Sequence, residues 1–579
     1  VNVNTNGNLN LNAKGRPVMT TRRALLASAA LAPLVAGGLR PARAQEATPQ
    51  TQVEDSPDLS EMMPLPLAGD RLAAFEAYVA AALAEAGVPG AAVAVVQDGE
   101  VVFAQGFGVR ELGQPGPVTA DTLLRIGSVT KSFSSLLAAT LVDAGRLSWE
   151  TPLVDLLPEF AVADPELAPR LTVRDAFCAC SGLPRRDLEF MLRADDFSPE
   201  RMIAGMADLP LTAEYGERYQ YSNQMVGAGG FAAAVADGGS PAALSHAYAV
   251  ALRERVLNPI GMARTTLDLA AVAAGNDYAT PHATDLAGTL RALPLMEDDA
   301  WLVPVAPSGS LWSSAAEMAR YVQTELAGGV GPAGARVVSA ENLERTWRPG
   351  IPLHTPPGTP PDIAAFAGHY GLGWVVGAYR GQRAVWHSGG TLGFTSLVTF
   401  LPEADLGIVV LTNAVGSTAS PVVYGATFRL FELLFEQPAS FDAEQAPRLA
   451  AAAEARADLL TRLGQIDPAT VEPFLGWYAN PTLGAARLSL RDNVLTFAAG
   501  AMRAELRPLL DDAGAVTGYL PFEPPLGGFP PSMSLAFERD GDGRPTIVLT
   551  EPPSDAGEGD VVYVFDAVDA PAAAGTPTP

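Results

Sequence analysis

Apart from Lys14, this chain holds a single lysine, Lys131, in Ser128-Val129-Thr130-Lys131; the other 36 of its 38 basic residues are arginine. Proton transfer is one task that arginine cannot do. Burial can push a lysine towards its neutral form, whereas a guanidinium stays charged. Moving a lysine pKa from about 10.4 to about 8 takes roughly 3 kcal/mol of differential solvation. From Thr122 to Val142 there is no Asp or Glu, so no neighbouring anion in sequence holds Lys131 charged. On a helix, positions i and i+3 share a face. Ser128 then sits at a first turn, beside unpaired backbone N–H groups, with Lys131 one turn on. A serine hydroxyl next to a neutral amine is a nucleophile and its base. The alternative is an N-cap serine near a solvent-exposed lysine.

Two further groups of residues could join that pair. Tyr221-Ser222-Asn223 follows the turn-rich Glu214-Tyr215-Gly216-Glu217-Arg218. His387-Ser388-Gly389-Gly390 follows the strand pattern Ala384–Trp386. Taken alone, that histidine reads as a strand-end residue in a glycine turn.

The elements that must position these residues can be read from pattern. Asp70 to Ala86 alternates at helical spacing and stops at Gly87. Asp98-Gly99 between two apolar runs predicts a hairpin. Ser128 to Ala144 predicts a long helix ending at Gly145. Residues 150–345 read as helix and loop. Ser396–Leu401 and Leu406–Thr412 read as strands. This order predicts an α+β fold, an antiparallel sheet flanked by helices with a helical insertion. From about residue 467 the pattern changes to period two: 487–491 and 494–497 alternate around Asp492-Asn493, followed by 534–537, 546–550 and 561–565. A small antiparallel barrel is expected there.

The three groups, in this order, resemble the serine-reactive penicillin-binding fold: class C β-lactamases, D-alanyl-D-alanine carboxypeptidases, D-aminopeptidases and related esterases. Their pattern is Ser-x-x-Lys, then Tyr-x-Asn, then Lys/His-x-Gly on a sheet edge. Arg125-Ile126-Gly127, Ser181-Gly182-Leu183-Pro184, Pro259-Ile260-Gly261-Met262, Tyr370-Gly371-Leu372-Gly373-Trp374 and Gly393-Phe394-Thr395-Ser396 also look like family segments. The resemblance covers about residues 66–435. It implies Ser128 as nucleophile and Lys131 and Tyr221 as partners in its proton transfer, with the tyrosine as general base. It implies that Asn223, His387, Ser388, Gly389 and Gly390 bind substrate, with His387 in the place of a cation and the Ser128 and Gly390 N–H groups as oxyanion hole. His387 stands where class C β-lactamases have lysine, which is closer to the peptidases and esterases. The segment Ala179-Cys180-Ser181-Gly182-Leu183 lacks a histidine that many relatives carry. Cys178 and Cys180, one residue apart, are read as packed thiols. Phe474-Leu475-Gly476-Trp477-Tyr478 and the strand pattern after it resemble the lipocalin-like domain appended to some members.

The implied activity is serine hydrolysis of a peptide, ester or lactam carbonyl through an acyl-enzyme, D-amino-acid peptidase or carboxypeptidase first. Carboxylesterase, β-lactamase and a non-catalytic receptor using the same pocket are the alternatives. No Gly-x-Ser-x-Gly occurs, which sets aside the α/β-hydrolase elbow. No cofactor or metal is implied: five histidines form no HxH or HExxH pattern. A net charge of −26 argues against nucleic acid or an anionic membrane as partner. The expected partner is a small-molecule or peptide substrate, and oligomeric state stays open.

Arg22-Arg23, a short apolar run and Ala42-Arg43-Ala44 resemble a twin-arginine export signal. Residues 1–44 are therefore read as an upstream segment and signal, for an exported, periplasmic or secreted product without an integral membrane anchor. Their removal takes away six basic and no acidic residues. The remaining divisions are a linker at 45–65, the catalytic domain at 66–437, a helical linker at 438–466, the barrel at 467–568 and a disordered tail at 569–579.

Overall fold

The computed structural model describes residues 57–193, 197–294, 300–356, 359–528, 530–553 and 559–570. The export signal of the sequence reading and all but the first two residues of its tail lie outside them.

Eight antiparallel strands form the central sheet, in the spatial order Glu100–Gly108, Gly90–Gln97, Leu406–Thr412, Phe394–Leu401, Gln382–Thr391, Val375–Tyr379, His369–Tyr370 and Ile351–Pro352. Strands from both ends of the region therefore pair, as expected. The strand Gly90–Gln97 is buried throughout, and its side chains alternate between two cores. Ala91, Val93 and Val95 pack with Phe75 and Val79 of the helix Asp70–Ala86 and with Val422 and Leu430 of the helix Gly416–Leu434. Ala92, Ala94 and Val96 belong to the opposite core, which holds Phe133 and Leu137 of the helix Thr130–Asp143. Each fully buried Val, Leu or Phe among them contributes about 1.5–3 kcal/mol, and each alanine less.

The turn chemistry follows the sequence. Asp98 and Gly99 both have positive φ (52° and 75°), as the hairpin between Gly90–Gln97 and Glu100–Gly108 needs. Gly87 caps the first helix in the left-handed region. A helix at Phe441–Thr461 leads to eight strands, from Gly476–Asn480 to Val561–Val568, which close into a barrel in chain order. Its interior is filled by side chains such as Leu488, Phe497, Leu506, Ile547 and Phe565, as eight strands allow. Among the described residues no helix is long and apolar enough to cross a membrane.

Two local features differ from what the residues alone suggested. Cys178 and Cys180 are joined as a disulfide, not packed as free thiols, with Cα atoms 5.3 Å apart. Ala179 between them adopts the left-handed φ of 52°, which folds the chain tightly enough to bring the sulfurs together. His387-Ser388-Gly389-Gly390 is not the turn that its residues alone suggested, but lies in a strand, as the resemblance implied. The strand runs on through Thr391 and pairs with Phe394–Leu401 as far as its last residue. The glycine pair hid this, because glycine interrupts the apolar alternation that marks a strand.

Candidate active site

The elements that carry these residues meet where one strand has a neighbouring strand along only part of one edge. Val375–Tyr379 pairs with Gln382–Thr391 only as far as Trp386. From His387 to Thr391 that side of the strand is therefore open, and the start of the Ser128 helix packs against it. Gly389 makes the approach possible. A Cβ there would lie 1.9 Å from the Ile126 carbonyl oxygen and 2.4 Å from Ser396 Oγ. Ser396 Oγ itself donates to Ile126 O at 2.7 Å, which pins the segment before the nucleophile to the sheet.

Ser128 lies in the 3₁₀ turn Gly127–Val129, which runs directly into the helix Thr130–Asp143. It is 8% exposed, and Lys131 has no exposure. The helix is buried on nearly every side, so its hydroxyls are satisfied internally. Thr130 Oγ1 donates to Gly127 O, and Ser132 Oγ to Val129 O. The Lys131 amine lies 3.0 Å from Ser128 Oγ, 2.7 Å from Asn223 Oδ1 and 2.7 Å from the Ser308 carbonyl oxygen. Tyr221 Oη lies 2.7 Å from Ser128 Oγ on the other side. The Tyr221 ring also packs under the amine, 4.6 Å from its centroid.

Burial holds the Lys131 pKa well below that of an ordinary lysine; the Arg185 guanidinium lowers it further, and Asp187 works against both. As placed, Nζ donates to all three oxygens, and Ser128 Oγ accepts from Tyr221 Oη as well; once neutral, the amine has two donors and one lone pair. Asn223 Oδ1 and Ser308 O can only accept, so they take the two donors. Of the three partners, only Ser128 can donate to the lone pair. In that neutral form the lone pair faces Ser128 Oγ.

Asn223 begins the helix Asn223–Ala236, capped by Ser222 Oγ accepting from Met225 N–H. His387 is buried and neutral. Burial first, and then the charge on Lys131 when that amine is protonated, push its pKa down to about 3. Nδ1 donates to the Ser388 carbonyl oxygen at 2.6 Å, so Nε2 accepts from Tyr370 Oη at 2.9 Å. The expected cation in this place is therefore a neutral ring with both nitrogens engaged. Ser388 points to the opposite face of the strand, where its side chain meets Tyr424. Gly390 is exposed at the open stretch, with its backbone nitrogen beside Gly127.

Sequence reasoning missed four contributors. The Ser308 carbonyl is backbone and leaves no compositional signal. Tyr370, which holds His387, lay within a recognised segment without a role. Asp187 accepts from Asn223 Nδ2 at 2.8 Å, and Arg185 Nε donates to Asp187 at 2.6 Å. These last two follow Ser181-Gly182-Leu183-Pro184 directly and carry no motif of their own. The disulfide also borders the site. The Ala179 carbonyl accepts from Gln220 N–H at 2.8 Å, one residue before Tyr221, and the Cys180 carbonyl from Gly216 N–H at 2.8 Å.

Comparison with known families matches residues 75–426 to the family described as Beta-lactamase. Among curated proteins, the chain is 25% identical over 387 residues to the unguisins hydrolase ungD of Aspergillus violaceofuscus (strain CBS 115571), covering 64% of each chain. The match thus spans less than two thirds of that relative. It is 29% identical over 333 residues to Penicillin-binding protein 4 of Amycolatopsis lactamdurans, covering 56% of this chain and 81% of that one. Among solved structures, the octameric penicillin-binding protein homologue from Pyrococcus abyssi superposes with a TM-score of 0.53 at 21% identity, over 86% of this chain and 100% of that one. At that identity the likeness speaks for the fold.

Proposed function

This chain belongs to the beta-lactamase family of serine hydrolases, and from that premise we propose that it is an exported enzyme working through an acyl-enzyme on Ser128. One observation carries the proposal: the fully buried Lys131 amine has two partners that only accept, and its remaining partner is the Ser128 hydroxyl. Ser128 Oγ attacks the substrate carbonyl carbon while its proton passes to Lys131. Tyr221, 2.7 Å from the same oxygen, relays a proton to the leaving group as the acyl–serine ester forms. Water then attacks the ester by the reverse relay, releasing the acid and restoring Ser128. The Lys131 and Tyr221 protons form one coupled pair, so the tyrosine and lysine roles are two descriptions of a shared proton. The Ser128 and Gly390 N–H groups serve as oxyanion hole, where loss of one donor costs about 3–4 kcal/mol of barrier. Asn223 orients the lysine, and the open strand from His387 to Gly390 receives the acyl chain.

The substrate class we assign is a peptide, with D-amino-acid peptidase or carboxypeptidase chemistry. Relatives named as a hydrolase and as a penicillin-binding protein support this reading. A carboxylesterase is the second reading, and the neutral His387 favours it, because that position offers no cation to a substrate carboxylate. The test is hydrolysis of a short-chain p-nitrophenyl ester, then of D- and L-peptides, by the wild type and Ser128→Ala. Turnover lost in the variant is expected; equal turnover in both would remove Ser128 from the chemistry.

A further inference from the structure

We propose that Asp187 is a positioning residue of this site: its carboxylate fixes the Asn223 amide so that the amide oxygen, not the nitrogen, faces Lys131. The inference rests on the serine hydrolase reading above and adds to it a residue outside the three motifs.

The two ends of an asparagine amide are nearly the same size, so shape alone does not decide which faces which way. Chemistry decides here. The Asp187 carboxylate accepts and cannot donate, so the amide atom facing its Oδ1 at 2.8 Å must be the NH₂ group. The oxygen is left at 2.7 Å from the Lys131 amine. In the opposite orientation both contacts would fail at once. Two amino groups would face each other at the lysine, and two oxygens would face each other at the carboxylate. With one of its acceptors turned into a donor, the lysine would have to find another partner, and its lone pair would no longer be directed at Ser128.

Asp187 is itself held. Arg185 Nε and Nη2 both reach Oδ2, at 2.6 Å and 2.5 Å, leaving Oδ1 for Asn223. A second latch lies beside the first, where Gln224 Nε2 donates to the Arg186 carbonyl at 2.9 Å. The 185–187 turn is thus tied to residues 223 and 224 by adjacent hydrogen bonds. The barrel backs this turn. Glu551 and Tyr563, from its last two strands, sit within the electrostatic reach of Asp187, Arg186 and Glu189. The Lys131 amine thus faces Arg185 and Asp187 from this turn, Tyr221 and Asn223 from the second motif, and His387 from the strand.

The experiment compares wild type, Asp187→Asn, Asp187→Ala and Ser128→Ala in ester hydrolysis, with the Lys131 titration followed by NMR of ¹³Cε-labelled lysine. Two lysines in the chain mean two signals, one from Lys14 and one from Lys131. Asp187→Ala is expected to lose about 10–100-fold in kcat with KM changed by less than about twofold, since the groups remain but their aim is lost. Asp187→Asn has a single oxygen for the donors of both Arg185 and Asn223, so it fixes the amide only in part and is expected to keep more of kcat than Asp187→Ala but less than wild type. Its Lys131 titration is expected to move to lower pH, because the carboxylate that favoured the ammonium is gone. Wild-type kcat in Asp187→Ala, or an unmoved Lys131 titration in Asp187→Asn, would overturn the inference. Wild-type turnover no greater than that of Ser128→Ala would instead overturn the hydrolase reading, and the lysine titration would still report on Asp187.

Discussion

On the proposed mechanism Ser128 is activated by Lys131, a lysine made unusual by its burial. Its charge is not what the site uses, so an arginine in its place is of no help. We predict that Lys131→Arg lowers kcat/KM nearly as far as Lys131→Ala, by about 100-fold or more; recovery of activity in the arginine variant would refute the proton-relay role. The pH profile follows from the same group. The neutral amine is the active form, so kcat/KM rises as pH passes through the lowered Lys131 pKa, below the ordinary lysine range. His387, neutral above about pH 3, adds no limb near pH 6–7. A histidine limb that disappears in His387→Gln would contradict this assignment. At this scale Ser128 and Lys131 stood out through the rarity of lysine and their spacing, whereas Tyr221 and Asn223 were reached through the family resemblance. Asp187 and the Ser308 carbonyl were not legible. One is an acid among 64 acidic residues, and the other is backbone that only tertiary packing brings to the site.

Among the elements, the helix Ala315–Leu326 buries a carboxyl group. Glu325 has 1% exposure, and burial raises its pKa to about 8. Trp347 Nε1 donates to its Oε2 at 3.0 Å. A carboxyl whose folded pKa is raised binds its proton more tightly when folded. Its stabilising effect is complete below the unfolded value, near 4.5, and is lost as pH rises towards 8. Glu189 and Glu551, raised to about 7 and about 8, act in the same direction. Glu325→Gln should therefore lose less Tm than wild type between about pH 5 and about pH 9; parallel Tm curves would refute it. The first helix, the Asp98-Gly99 hairpin and the nucleophile helix were readable because local propensity and tertiary burial agree there. The third motif taken alone suggested a turn, because its glycines are demanded by a neighbour, Ile126, that no local pattern reveals; the family resemblance is what put it on a sheet edge. The disulfide was misread because sequence separation says nothing of the left-handed Ala179 that closes it.

Across the whole molecule, the barrel and the catalytic fold share their interior. Leu286 from the catalytic region, Leu459 from the linking helix, and Leu509 and Leu520 from the barrel form one small buried cluster. Leu286 N–H donates to Phe522 O, and Arg193 reaches the Pro481 and Thr482 carbonyls. Arg193 and Leu286, far apart in sequence, thus both touch the barrel. The barrel strands were legible from alternation, but where the barrel docks was not, since that depends on contacts between distant segments. Leu520→Ala should destabilise the protein by about 2–5 kcal/mol, measured by denaturant unfolding; a change under about 0.5 kcal/mol would show that the junction bears no strain of the fold. The central claim, that Ser128 is the nucleophile of the intact chain, is tested most directly by covalent capture. The full protein is treated with a fluorophosphonate, and the adduct is located by intact mass and peptide mapping. The account predicts one adduct, on Ser128, absent from Ser128→Ala and formed far more slowly in Lys131→Arg. An adduct on another residue, or ester turnover that persists with Ser128 unmodified, would contradict it.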